Sequence, residues 1–129
     1  MLIGFNYTLY GNARIASLQA IYKTSSGTST GDVWGRVTPL SGSVVARRGY
    51  AVTGVNLHAD YQIDSFEVVF AGVSRIGLKP KDTYISPLIG HQDYEPTIKI
   101  SSEEQPVVGI AGKARQTVTS LSLIHLPAP

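Results

Sequence analysis

One short pattern occurs three times along the chain, and it constrains the fold more than any other feature of the sequence. Each copy has a β-branched residue, a variable residue, a serine and then alternating apolar side chains, at residues 15–22, 63–70 and 118–125. The copies begin 48 and 55 residues apart, which is about the length of one supersecondary unit. We therefore expect three similar units that bury one another's apolar faces.

The alternation inside the pattern is typical of β-strands, because side chains of a strand point in turn to its two faces. No apolar pattern with helical spacing continues for the roughly ten residues that a helix needs. The apolar positions of the three copies are predicted to share an inner face: Leu18, Ala20, Phe66, Val68, Leu121 and Leu123. The sequence therefore predicts an all-β fold with a common apolar axis.

Each repeated strand is expected to form a hairpin with the segment before it. A glycine followed by an apolar residue begins this segment at Gly4, Gly54 and Gly109, nine to eleven residues ahead of the repeated pattern. Between the hairpins, Asp32 and Asp82 each precede an aromatic residue by two positions and are predicted to mark outer strands. Two hairpin strands and two outer strands would form a four-stranded Greek key.

Composition limits the size and the chemistry of the protein. The 129 residues are predicted to form a single domain, with 43% hydrophobic and 16% charged residues. Absence of cysteine excludes disulfides, thiolate metal sites and cysteine nucleophiles. The net charge of +2 is scattered and does not indicate nucleic-acid binding. The sequence shows neither a signal peptide nor an apolar run that could span a membrane, and it leaves the compartment open.

The three hairpins, together with the segments Gln105–Gly112 and Lys79–Tyr84, resemble the jacalin-related lectins and similar uncharacterised bacterial domains. This resemblance covers nearly the whole chain. It implies a β-prism of three four-stranded Greek-key sheets with pseudo-threefold symmetry over residues 1–129.

The resemblance also implies a place for a ligand. In mannose-binding members of that family, the sugar lies at one end of the prism in a loop with the spacing G-x-x-x-D. The glycine permits close approach of backbone N–H groups, and the aspartate accepts hydrogen bonds from sugar hydroxyls. The glycine and aspartate positions correspond here to Asn12 and Ala16, to Asp60 and Asp64, and to Arg115 and Thr119. No unit keeps both residues, and only the second keeps the aspartate.

The loop between residues 58 and 64 is the best candidate site. Asp60 and Asp64 are expected to accept hydroxyl hydrogen bonds, while His58 and Tyr61 add an imidazole and a ring that could stack on a sugar. Two alternatives stay open, a purely structural turn and a weak cation site. Arg115, with Arg14 and Lys113 in the equivalent loops, raises the alternative of an anionic sugar.

These observations favour a noncatalytic carbohydrate-binding module that needs no cofactor or metal. No common catalytic motif is present, and the three histidines are far apart in the sequence. The alternative is a structural or protein-interaction domain in which the sugar site has degenerated, and such a domain is expected to be a homo-oligomer or one module of a larger protein.

Overall fold

Three β-sheets make up the computed structural model, which describes residues 1–59, 62–91 and 97–127. No helix in these ranges is long and apolar enough to cross a membrane. The strands are β1 (Leu2–Leu9), β2 (Ile15–Thr24), β3 (Gly27–Gly35), β4 (Leu40–Val45), β5 (Tyr50–Ala59), β6 (Ile63–Val73), β7 (Leu78–Ile85), β8 (Ile89–Gly90), β9 (Thr97–Ser101), β10 (Val107–Ala114) and β11 (Val118–His125).

The first two sheets confirm the predicted Greek keys, and the third is smaller. Sheet 1 has the order β3-β2-β1-β4, and sheet 2 has the order β7-β6-β5-β9, with β8 pairing to β6. In both sheets the fourth strand returns beside the first, as a Greek key requires. Sheet 3 contains only β10 and β11 among the described residues. The expectation of four strands in every sheet is therefore corrected for sheet 3, while the all-β prism is confirmed.

The threefold repeat extends to the irregularities of the three hairpins. In each hairpin the strand register skips one residue at the start of the repeated pattern, which leaves Ala16, Asp64 and Thr119 as the extra residues of equivalent β-bulges. A bulge bends its strand and redirects a side chain. The position that corresponds to the lectins' aspartate is thus the bulge residue of all three units.

The predicted inner face forms the core. Phe66 is fully buried and packs edge to face on Phe5 and Tyr7 of the first hairpin, with ring centroids 6.0 and 6.2 Å apart. Five of the six predicted axis residues are at least 93% buried, and Leu123 is half-buried against the same cluster. Burial of each large side chain contributes about 1.5–3 kcal/mol. The sheets therefore depend on one shared core.

The repeated glycines lie where an outer strand pairs closely with the first strand of the hairpin. A Cβ on Gly4 would lie 2.1 Å from the carbonyl oxygen of Val44 in β4, and a Cβ on Gly54 would lie 2.7 Å from that of Ile100 in β9. Gly109 is the equivalent residue of sheet 3, but a Cβ there would meet only the side chain of Ile124, at 3.5 Å. The contacts described for sheet 3 therefore leave room for a side chain at position 109.

This difference predicts opposite outcomes for the same substitution. Gly54→Ala is expected to lower the free energy of unfolding by about 1–3 kcal/mol, because β5 and β9 would have to separate. Gly109→Ala, the matched control, is expected to change it by less than about 0.5 kcal/mol in the monomer. Urea denaturation followed by circular dichroism would measure both values. Equal losses of unfolding free energy for the two variants would contradict the close pairing of β5 and β9 at Gly54.

Candidate functional site

The turns of the three hairpins lie together at one end of the prism, which we call the turn end (residues 10–14, 62–64 and 115–119). The Tyr10 hydroxyl donates a hydrogen bond to the carbonyl oxygen of Gln116, joining the first turn to the third. The Arg14 guanidinium donates to Asp64, joining the first turn to the second. Side chains from all three units are thereby held in one surface.

Asp64 is the most buried charged group of this surface. Its side chain is 1% exposed and forms an ion pair with Arg14, whose side chain is 30% exposed. The Gln62 amide also donates to Asp64 Oδ1 at 3.4 Å, whereas Oδ2 has no partner within the described ranges. A buried carboxylate is costly unless it is paired, so Arg14 compensates the charge that the bulge turns inward.

A short segment clamps the second hairpin from outside. Ile89 and Gly90 pair with Phe66 and Ser65, and the His91 N–H donates to the Asp64 carbonyl oxygen at 3.0 Å. Gly90 has a φ of +105°, and a Cβ there would lie 2.6 Å from the same oxygen. Only glycine therefore permits this close approach.

Of the predicted site residues of the second unit, the structure describes His58 and Asp64. His58 lies opposite Ser65 in the β5–β6 ladder, and Asp64 is the bulge residue that precedes Ser65 in β6. The His58 Nδ1 is buried and has no partner in the part of the chain that the structure describes. Asp60 and Tyr61 lie outside the described residues, and their proposed roles stay predictions.

The third turn is the open part of the turn end. Arg115 and Thr119 are exposed, in contrast to the fully buried Ala16 and Asp64 at the other two bulges. The Arg115 N–H donates to the Thr117 carbonyl oxygen at 3.0 Å, and the Thr119 hydroxyl donates to that of Lys113 at 3.1 Å. Backbone bonds thus fix the turn, while the Arg115 guanidinium stays available to solvent.

A depression of about 350 Å³ on sheet 1 is lined in part by polar side chains of neighbouring strands. Its polar side chains already bond one another: Ser43 donates to Asn6 at 2.6 Å, Asn6 to Gln19 at 3.1 Å, and Gln19 to the Gly31 carbonyl oxygen at 3.0 Å. This network joins neighbouring strands of the sheet and leaves few groups for a ligand. Joining the strands of sheet 1 is a structural role that accounts for this polar network.

An aromatic cluster beside sheet 2 is also satisfied internally. The Arg47 guanidinium lies 4.1 Å from the ring centroid of Tyr84, which stacks on Phe70. The Tyr50 hydroxyl donates to Asp82 at 2.7 Å, and this hydrogen bond raises the pKa of Tyr50 above its ordinary value. Trp34 is half-buried, with its ring against Gly112 of sheet 3.

Sequence reasoning missed the partner of Asp64. The sequence offers Arg14 as one of three cations for the alternative of an anionic sugar, but its guanidinium faces Asp64, 50 residues away in the chain. The available signal was the repeat itself, which places Arg14 two residues before one bulge and Gln62 two residues before the next.

The ion pair predicts a coupled response to mutation. Arg14→Ala is expected to lower the free energy of unfolding by about 3 kcal/mol, since it leaves Asp64 buried without its cation. The double substitution Arg14→Ala with Asp64→Ala should cost less than Arg14→Ala alone, because the first unit already accommodates a buried alanine at this bulge. Additive losses in a denaturation experiment would contradict the pairing.

Comparisons with known proteins rest on structure. No family model and no curated protein match the sequence. A prostate-specific WGA16 glycoprotein lectin is 11% identical, with a TM-score of 0.74 over 99% of this chain and 83% of its own. Frutalin from Artocarpus incisa, solved with galactose, is 15% identical, with a TM-score of 0.71 over 98% and 92%.

Jacalin, solved with T-antigen, is 14% identical, with a TM-score of 0.70 over 96% of this chain and 90% of its own. At these identities the likeness concerns the fold, and the resemblance to bacterial domains stays a prediction. The chain therefore has the β-prism fold of the jacalin-related lectins.

Proposed function

We propose that the protein is a noncatalytic carbohydrate-binding module that uses its turn end. The observation that carries this proposal is the joining of all three hairpin turns into one polar surface by Tyr10–Gln116 and Arg14–Asp64. A fixed surface binds a flexible saccharide with less loss of conformational entropy than separate mobile loops would. Lectins with the same fold, including ones solved with sugars, support the ligand class.

The third turn is proposed to make the principal contact. Arg115 and Thr119 are exposed, so their guanidinium and hydroxyl groups can reach a ligand without rearrangement of the core. Asp60 and Tyr61 keep their predicted roles as hydroxyl acceptor and stacking ring. Asp64, at 1% exposure, is proposed to act indirectly by holding Arg14, because a sugar hydroxyl would first have to displace this pair.

The charges favour a saccharide that carries anionic groups. Among the described residues of the turn end and the strand that leads into its third turn, the exposed charges are the cations Lys113 and Arg115, whereas the carboxylate of Asp64 is buried and paired. A guanidinium binds sulfate, phosphate or carboxylate oxygens through charge-assisted, often bidentate hydrogen bonds. We therefore propose an acidic glycan as the preferred ligand over a neutral one.

Sheet 3 favours a second candidate, a protein-interaction domain. Within the described ranges, β10 and β11 pair only with each other, so each has one edge without a neighbouring strand. Unpaired backbone groups along a strand edge are a ready template for another chain. Both functions can coexist, since the turn end and these edges are different surfaces.

A glycan array that contains sulfated, carboxylated and neutral saccharides tests the carbohydrate proposal. The protein is expected to bind acidic glycans, and Arg115→Ala should weaken binding by about tenfold or more, since a charge-assisted hydrogen bond is lost. Arg75→Ala is the matched control, because it removes an exposed arginine from the β6–β7 turn at the opposite end of the prism. Calorimetry would quantify each hit.

An array without binding, or equal losses for Arg115→Ala and Arg75→Ala, would contradict carbohydrate binding at the turn end. Binding confined to neutral saccharides with Arg115→Ala still impaired would keep the site and overturn the acidic preference.

A further inference from the structure

A loop next to the turn end presents apolar side chains to solvent. This outer loop, residues 36–40, leads from β3 into β4. Val37 is 65% exposed and Leu40 is 55% exposed, and Pro39 between them is exposed as well. Single exposed apolar residues are ordinary on a protein surface, but three of them within four residues form an apolar group that is available to a binding partner.

Hydrogen bonds to the first hairpin hold the outer loop in place. The Arg36 N–H donates to the Ala16 carbonyl oxygen at 3.0 Å. The Thr38 N–H donates to the Thr8 hydroxyl at 3.3 Å, and the Thr38 hydroxyl donates to the Leu9 carbonyl oxygen at 2.5 Å. Since Leu9 lies directly before the first turn, these bonds place the apolar group beside the turn end.

A glycine makes this placement possible. Gly35 has a φ of +91°, and a Cβ there would overlap the carbonyl oxygen of Ala16 at the first bulge. Gly90 approaches the carbonyl oxygen of Asp64 at the second bulge in the same way. The repeat thus brings the residue after each glycine to its bulge, and in the first unit the chain continues from there into the outer loop.

The exposed charges around the outer loop are cationic. Arg36 and Arg115 are exposed, and the Arg14 side chain is 30% exposed. Among the described residues of the turn end and the outer loop, Asp64 is the one carboxylate, and it is buried in its pair with Arg14. A surface that combines cations with apolar side chains fits the headgroup region of an anionic bilayer, where negative charge lies next to hydrocarbon. A soluble acidic glycan offers the charge without the hydrocarbon.

We propose that the turn end and the outer loop together dock on an anionic lipid bilayer. Arg36 and Arg115 contact the negatively charged headgroups, while Val37 and Leu40 enter the interfacial region between them. The docked protein lies on the bilayer surface. Docking goes beyond the proposed binding of glycans, and its consequence, that the bound glycans are those displayed on a membrane, rests on that proposed function.

Sedimentation with sugar-free vesicles tests the docking directly. The protein is expected to sediment with vesicles of phosphatidylcholine and phosphatidylserine but not with vesicles of phosphatidylcholine alone, and added salt should weaken this binding because it screens the charges. The double substitution Val37→Ser with Leu40→Ser should weaken it by about tenfold or more, since two apolar side chains lose their burial in the interface. Ile76→Ser is the matched control, because Ile76 is 86% exposed in the β6–β7 turn at the opposite end of the prism.

A charge reversal tests the cationic part of the surface. Arg36→Glu is expected to weaken vesicle binding by about tenfold or more, because it replaces an attraction to the headgroups with a repulsion. Arg75→Glu reverses an exposed charge at the opposite end and should leave the binding unchanged. Circular dichroism checks that each variant is folded.

Absence of binding to phosphatidylserine vesicles, or equal losses for the outer-loop variants and their controls, would overturn the docking proposal. Because these vesicles carry no sugar, their result does not depend on the glycan site. Calorimetry with a soluble sulfated saccharide measures that site separately, and the variant with Val37→Ser and Leu40→Ser is expected to keep its glycan affinity while it loses vesicle binding. Failure of docking and failure of carbohydrate binding are therefore distinguishable.

Discussion

The packing of Phe66 on Phe5 and Tyr7 is the interaction on which the rest of the structure depends. It joins the hairpins of sheets 1 and 2 across the prism axis, and Leu121 of sheet 3 belongs to the same buried cluster. An isolated two-stranded hairpin is at best marginally stable in water. The hairpins therefore fold only together, and their turns are brought to one end as a consequence of that shared core.

The sequence predicted the parts of this arrangement that repeat. The third copy of the pattern at 118–125 coincides with β11, and β6 begins at Ile63 as its copy does. Such agreement arises because alternating burial is a local property of a strand. The sequence did not predict that sheet 3 holds only two strands among the described residues, because the resemblance supplied four strands to every unit.

The candidate site shows the same division between local and nonlocal information. The bulge position of Asp64 follows from the repeat, but its direction and its partner depend on how two hairpins meet. Arg14 and Asp64 contact each other only in the folded chain. An alignment of motifs does not show this contact, and it therefore offers Arg14 for an anionic ligand and Asp64 for a sugar hydroxyl. In the structure the pair neutralises itself, and the third turn with Arg115 is left to face the solvent.

The central claim is that three equivalent hairpins share one core, while among the described residues the third hairpin alone has no neighbouring strands. Amide hydrogen exchange of the dilute, monomeric protein tests this most directly. The account predicts strong protection of the amides in β1 and β5 on both of their edges, but rapid exchange of the β10 amides that point away from β11. Strong protection of those β10 amides at dilution would show that another segment of the chain already covers the edge, and it would contradict the account.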